Sequence, residues 1–142
     1  MTSRKLSGGT VLILDTGDEV VSKLTEFVKE KHIDGAHFTA IGAFSDAGIG
    51  YFDPQKKDYL KNQVNEQVEV VSLIGDIALD KGEPKVHAHV VVGKRNGSAM
   101  GGHLLEAHVR PTLEVMLQET GEQLKRKFDP KSGLALIDLG AK

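Results

Sequence analysis

One short stretch of this chain has the period of a helix, and nearly everything else has the period of a strand. Val20, Val21, Leu24, Phe27 and Val28 recur at three- and four-residue spacing, which lines one face of a helix over about residues 18–32. Asp18 or Thr16 can cap its start, and Lys29 and Lys31 suit the negative end of its dipole. Before it, Thr10-Val11-Leu12-Ile13-Leu14 is a β-branched run of strand length. After it, strand-like segments follow at Ala36–Phe44, Ala47–Phe52, Asp58–Asn62, Gln67–Leu79 and Val86–Val92. Gly75 marks a bulge or bend in the fourth of these. Asn96-Gly97 is a strong hairpin signal. Beyond it, a strand runs from Gly102 to about Val109. Alternation of Leu113, Val115 and Leu117 with Thr112, Glu114 and Met116 favours another strand, and Leu124–Phe128 with Leu134–Leu139 reads as a final hairpin.

Sixteen glycines against four prolines among 142 residues fit many tight turns rather than a disordered linker. The expected class is therefore α+β: one flanking helix on a largely antiparallel sheet, as a single domain over residues 1–142 with its core at about 10–139. Zero cysteines exclude disulfides, thiolate metal ligands and a Cys nucleophile. A formal net charge of −2 argues against attachment to DNA or anionic lipid by bulk charge. No apolar run of signal-peptide or membrane-spanning length occurs, so a soluble cytoplasmic protein is expected.

Six histidines stand at positions 32, 37, 87, 89, 103 and 108. In a strand, residues i and i+2 share a face, so the rings of His87 and His89 can converge on one ion. A catalytic-type zinc site takes three protein ligands and keeps one position open. His103 is the best third donor, because the Asn96-Gly97 turn returns its strand beside that of His87 and His89. His108 lies five residues further on and points to the opposite face of a regular strand. His37 is either a support for the site or a core residue, and His32 ends the helix. Taken alone, a His-X-His strand is more often structural than metal-binding; the added His103 brings the two readings level.

Gly82-Glu83-Pro84, His87-Ala88-His89 and Gly101-Gly102-His103-Leu104, in this order, resemble the core of the PPC domain, the plants and prokaryotes conserved domain. Glu69-Val70-Val71-Ser72-Leu73-Ile74-Gly75 resembles an upstream segment of that family, and Thr112-Leu113-Glu114-Val115 a downstream one. The resemblance implies a homotrimer with a largely antiparallel sheet, similar in fold to acetolactate decarboxylase. It also implies a divalent metal, usually zinc, on His87, His89 and His103. Prokaryotic members consist of the domain alone and carry a DNA-binding or regulatory label; plant members add AT-hooks. This chain departs from the plant pattern: it has no Arg-Gly-Arg core, and Glu66-Gln67 stand where plant members carry Gly-Arg.

Two functions follow as expectations. One is a homotrimeric, metal-binding domain with a DNA-binding or regulatory role. The other is a zinc-dependent enzyme, lyase- or hydrolase-like, acting on a small polar molecule, with Glu69 and Glu114 as candidate acid/base carboxylates and Arg110 as a candidate anion clamp. Glu69 is expected to share a buried face with Val71 and Leu73, or else to pair with Arg110. Lys94-Arg95 and Lys125-Arg126-Lys127 read first as solvated edges that discourage strand pairing. A metal with a purely structural role is a third reading; a trio of histidines without cysteine fits an open site better.

Overall fold

A computed structural model of the chain describes residues 1–140. Its elements in chain order are β1 (Thr2–Leu6), β2 (Gly9–Asp15), α1 (Val20–Glu30), β3 (Gly35–Asp53), β4 (Asp58–Val64), β5 (Val68–Asp80), β6 (Glu83–Gly93), β7 (Ala99–Glu119), β8 (Arg126–Asp129) and β9 (Leu134–Ile137). Seven strands form one antiparallel sheet in the order β1-β2-β7-β6-β5-β3-β4, and β7 also pairs with β3. The pairings β7–β6, β6–β5, β5–β3 and β3–β7 thus close a ring. Side chains on its inner face form the core with the apolar face of α1, through Val20, Leu24, Phe27 and Val28. Each such burial contributes roughly 1.5–3 kcal/mol.

Alternation along β6 sorts its side chains between two environments. Ala88, Val90 and Val92 enter the core, while His87, His89 and Val91 face outward. The outward histidines therefore lie on the outer surface of the ring.

The helix is two residues shorter at each end than its apolar period suggests. Neither Asp18 nor Thr16 caps it. Glu19 does, accepting hydrogen bonds from the Val21 and Ser22 amides at 3.2 and 2.8 Å. The same carboxylate accepts from the Ala107 amide at 3.2 Å, so the cap also ties the helix to β7. Asp18 instead accepts from the Asp15 amide, and its carboxylate lies 3.3 Å from the N-terminal ammonium.

Two expected breaks are absent. Ala36–Phe44 and Ala47–Phe52 belong to one strand, β3, because Asp46 stays in the pairing opposite His108. β7 runs unbroken through Pro111. Residues 110–112 fall in a gap of the β3 register, and β2 pairing stops at Thr112, so the missing N–H costs no ladder bond. The irregularity in β5 lies between Val70 and Ser72, not at Gly75. β1 has no apolar alternation to reveal it; all five of its residues are exposed on the edge of the sheet.

The β8–β9 hairpin is a separate two-stranded sheet. It is pinned to the main sheet by Leu79 N–H donating to Leu124 O at 2.7 Å and Leu124 N–H donating to Asp34 O at 3.1 Å.

Candidate metal centre

The Asn96-Gly97 turn sets the register that assembles the site. Lys94 N–H donates to Ser98 O at 2.8 Å, and the Asn96 side chain accepts from the Ser98 amide at 3.0 Å. From there Gly93 pairs with Ala99, and His89 stands directly opposite His103. Gly102 is needed at this crossing, since a Cβ would lie 2.5 Å from the Gly50 carbonyl oxygen.

His87, His89 and His103 each offer a ring nitrogen within 4.8 Å of the other two. Ring centroids are 5.1 Å apart for His87 and His89, 5.2 Å for His87 and His103, and 5.7 Å for His89 and His103. Among the described residues this is the group of three or more His, Asp or Glu side chains with converging ligand atoms. His108 is elsewhere, with its Nδ1 2.8 Å from Asp46 Oδ1. His37 is exposed on β3 and belongs neither to the core nor to the site. Glu69 and Glu114 are also exposed and stand apart from the trio. At the bulge, Val71 and Ser72 both face outward and Leu73 turns inward, so Glu69 and Leu73 do not share a face. Arg110 binds Gln67, donating from Nε to Oε1 at 2.7 Å, rather than Glu69.

Three residues that sequence reasoning missed complete the surroundings. Asp76 sits opposite His87 across β5–β6, with Oδ2 3.4 Å from Nδ1. Arg126 forms an ion pair with the other oxygen of Asp76, and its side chain is only 7% exposed. It is therefore not part of a solvated edge. Tyr59, from β4, stacks on His103 with ring centroids 4.5 Å apart. An acid directly opposite His87 on the neighbouring strand leaves no local periodic signal; only the β5–β6 register reveals it.

The electrostatics suit metal ligation, which requires neutral imidazole. Burial lowers the His103 pKa to about 4, and the neighbouring charges of His87, His89 and Lys85 add to the effect. His89 is lowered too, by burial and then by His87. Burial pulls the Asp76 carboxyl up, but hydrogen bonding to His87 and the charge of Arg126 outweigh it and hold the group below its usual value. His103 Nδ1 is buried without a hydrogen-bond partner. Three convergent imidazoles, one of them with a buried ring nitrogen that lacks a partner, fit a divalent transition ion.

The Asp46–His108 pair gives a pH signature away from the trio. Its hydrogen bond to Asp46 raises the His108 pKa, and the charges of Glu19 and Glu106 reinforce this. Burial opposes, but His108 and Ser45 together lower the Asp46 pKa. The His108 contribution is complete below about pH 6.5 and fades as pH rises through its raised pKa. The Asp46 contribution is present above about pH 4 and fades as pH falls through its lowered pKa. Thermal melts of the wild type and Asp46→Asn should therefore differ most at about pH 5–6 and converge toward pH 8. A difference that stays constant from pH 5 to 8 contradicts the pairing.

A closed antiparallel ring bearing three convergent imidazoles on its outer face defines an α+β domain with a candidate metal centre. The chain belongs to the Plants and Prokaryotes Conserved (PCC) domain family, whose model matches residues 1–121. It is 40% identical to a metal-containing protein from Archaeoglobus fulgidus, with TM-score 0.84 over 94% of each chain. It is 29% identical to a supposed DNA-binding protein from Bacteroides thetaiotaomicron, with TM-score 0.93 over 96% of each chain. The fold alone is shared with α-acetolactate decarboxylase from Bacillus subtilis, at TM-score 0.57 and 12% identity, over 89% of this chain and 58% of that one. A curated relative, the bifunctional protein GlmU from a Synechococcus strain, is 29% identical over 120 residues; the chain spans only 18% of its length. Among the described residues, no helix is long and apolar enough to cross a membrane.

Proposed function

We propose that this chain is a single-domain, homotrimeric protein that binds a divalent transition metal, zinc foremost, through His87, His89 and His103. The observation that carries the reading is the convergence of three ring nitrogens within 4.8 Å of one another. The Archaeoglobus relative, described as metal-containing, supports it. Asp76 orients His87, and carboxylate partners of this kind raise ligand basicity. Such an ion supplies Lewis-acid polarisation of a bound oxygen ligand. The protein's own residues supply three imidazole nitrogens, a hydrogen-bonding Asp76–Arg126 pair and a stacking surface on Tyr59.

Assembly is supported by the outer face around the trio. Val71, Ile74 and Val91 stand exposed near His89 on β5 and β6, and Ile41 and Met116 continue the apolar surface on β3 and β7. A second copy covering this face removes it from water.

Elemental analysis tests the centre. Purified protein should carry about one metal per chain, and His87→Ala with His89→Ala should reduce that to background. Wild-type protein with far less than one equivalent, unchanged by the substitutions, overturns the reading. Light scattering on the same sample should give a trimer's mass; a monomer's mass overturns the assembly.

A DNA-associated regulatory role is the second reading, supported by the description of the Bacteroides relative. The charge distribution opposes strong binding: Lys5, Lys29, Lys61, Lys85, Lys94 and Arg126 are all engaged with carboxylates. Any DNA affinity should therefore disappear by about 0.15 M salt, as weak phosphate contacts do. Retention of nanomolar binding at that salt, measured by fluorescence anisotropy, makes this the leading reading.

A further inference from the structure

The β8–β9 hairpin is fastened to the sheet by separate polar ties rather than by the core. Among the described residues, none after Leu117 belongs to the buried apolar cluster, and Phe128, Leu136 and Ile137 stay exposed. Besides the backbone bonds at Leu79 and Leu124, Gln123 Nε2 donates to Asp34 Oδ2 at 2.8 Å and Lys57 Nζ to Pro130 O at 2.6 Å. Arg126 makes a tie of another kind. One terminal nitrogen donates to Ala135 O inside the hairpin at 3.1 Å, and the other is paired with Asp76 in the main sheet. The second oxygen of Asp76 lies 3.4 Å from His87 Nδ1. One carboxylate thus joins a candidate metal ligand to the hairpin. A segment with little buried apolar surface opens readily, and a two-stranded hairpin alone in water is marginal, so release of these ties would unfold β8 and β9.

We propose that the hairpin is a strap latched by the metal: an ion on His87, His89 and His103 fastens it through Asp76 and Arg126, and loss of the ion loosens it. The inference rests on the metal reading. Free imidazole exchanges its proton between two nitrogens and turns about its side-chain bonds. An ion on one nitrogen fixes the ring and leaves the other as a permanent N–H donor. His87 Nδ1 is the nitrogen turned to Asp76, so metal loading makes that contact a constant, charge-assisted hydrogen bond. Asp76 then loses its freedom to leave Arg126. The ion also repels the guanidinium, but the carboxylate stands between His87 and Arg126, and its attraction for both outweighs that repulsion. The latch has a consequence for the centre. The hairpin supplies Arg126, Leu134, Ala135 and Leu136 to a cavity of about 170 Å³ bordered by His87 and His103. A loaded centre therefore has a walled approach, and an empty one an open approach through which an ion can enter.

The test is amide hydrogen exchange, followed by NMR, on zinc-saturated and chelator-stripped protein, with zinc content measured on both. The Leu124 amide and those of the β8–β9 ladder should exchange about tenfold more slowly in the loaded protein, a usual size for coupling between two sites. Lys57→Ala removes a tie that does not involve Asp76. It should speed exchange in both preparations and keep the tenfold ratio. Arg126→Leu leaves Asp76 beside His87, so zinc still binds, and the ratio should fall to about one. Asp76→Asn is a second break in the latch. It should bring the ratio to about one or below, because the ion then repels Arg126 with no carboxylate between them. Bound zinc with unchanged hairpin exchange overturns the latch and leaves the metal reading standing. A tenfold slowing that persists in Arg126→Leu also overturns it, since zinc would then be stabilising the whole fold. Protein that takes up no zinc overturns both.

Discussion

Replacing Asp76 with Ala should destabilise the protein by about 3 kcal/mol and lower its metal affinity about 10- to 100-fold. The stability loss arises at Arg126. Its guanidinium is nine-tenths buried, and Asp76 is its paired carboxylate. Removing one partner of a buried pair leaves an uncompensated charge, which costs more than the pair contributed. Asp76 is itself 31% exposed, so water entry tempers the penalty and places it at the lower end of the usual range. The loss of metal affinity arises at His87, which would no longer have a carboxylate beside Nδ1. The double variant Asp76→Ala/Arg126→Leu separates the two effects. Removing both charges should restore most of the stability without restoring metal affinity, because no carboxylate returns to His87. Chemical denaturation and competition with a chelator measure the two quantities. A double variant that recovers neither, or a single variant with wild-type affinity, contradicts the roles assigned here.

Gly75→Ala should lower the melting temperature by roughly 10 °C, equivalent to about 3 kcal/mol. Gly75 lies in β5 opposite Ala88, beside the pair formed by Asp76 and His87. A Cβ there would strike the Phe38 ring and come within 2.5 Å of the His87 carbonyl oxygen. Phe38 is among the largest fully buried side chains and cannot withdraw without opening the core. The strand must move instead, carrying His87 with it, so metal affinity should fall along with stability. Gly8→Ala is the matched control, since nothing lies within 4 Å of a Cβ at that position. Its effect should stay within about 0.5 kcal/mol. Equal melting temperatures for the two variants would show that the Phe38 contact tolerates a methyl group.

Gly75 also illustrates what a sequence can reveal. A glycine inside a strand pattern signals either a bulge or a close approach. Here the ring of Phe38, thirty-seven residues away in sequence, decides for close approach. The actual bulge falls between Val70 and Ser72, where the sequence carries no glycine or proline to mark it, because register is set by the paired strands and not by the bulged one. Arg126 follows the same logic. In sequence it is the middle of three basic residues, the usual mark of a solvated edge. In the fold, the hairpin's docking brings it onto Asp76, fifty residues earlier.

Local periodicity determined much of this protein directly. The apolar spacing fixed one helix and its buried face at Val20, Leu24, Phe27 and Val28. Strand alternation put His87 and His89 on one side of β6, and the Asn96-Gly97 turn brought His103 back beside them. These features depend on residues within a few positions of one another, whose backbone preferences act before the chain is folded. The tertiary structure alone decided that the sheet closes into a ring, that the trio faces outward, and that Asp76, Arg126 and Tyr59 surround it. Those outcomes depend on strand order, register and core packing, which arise from contacts between residues far apart in the chain and so leave no local pattern to read.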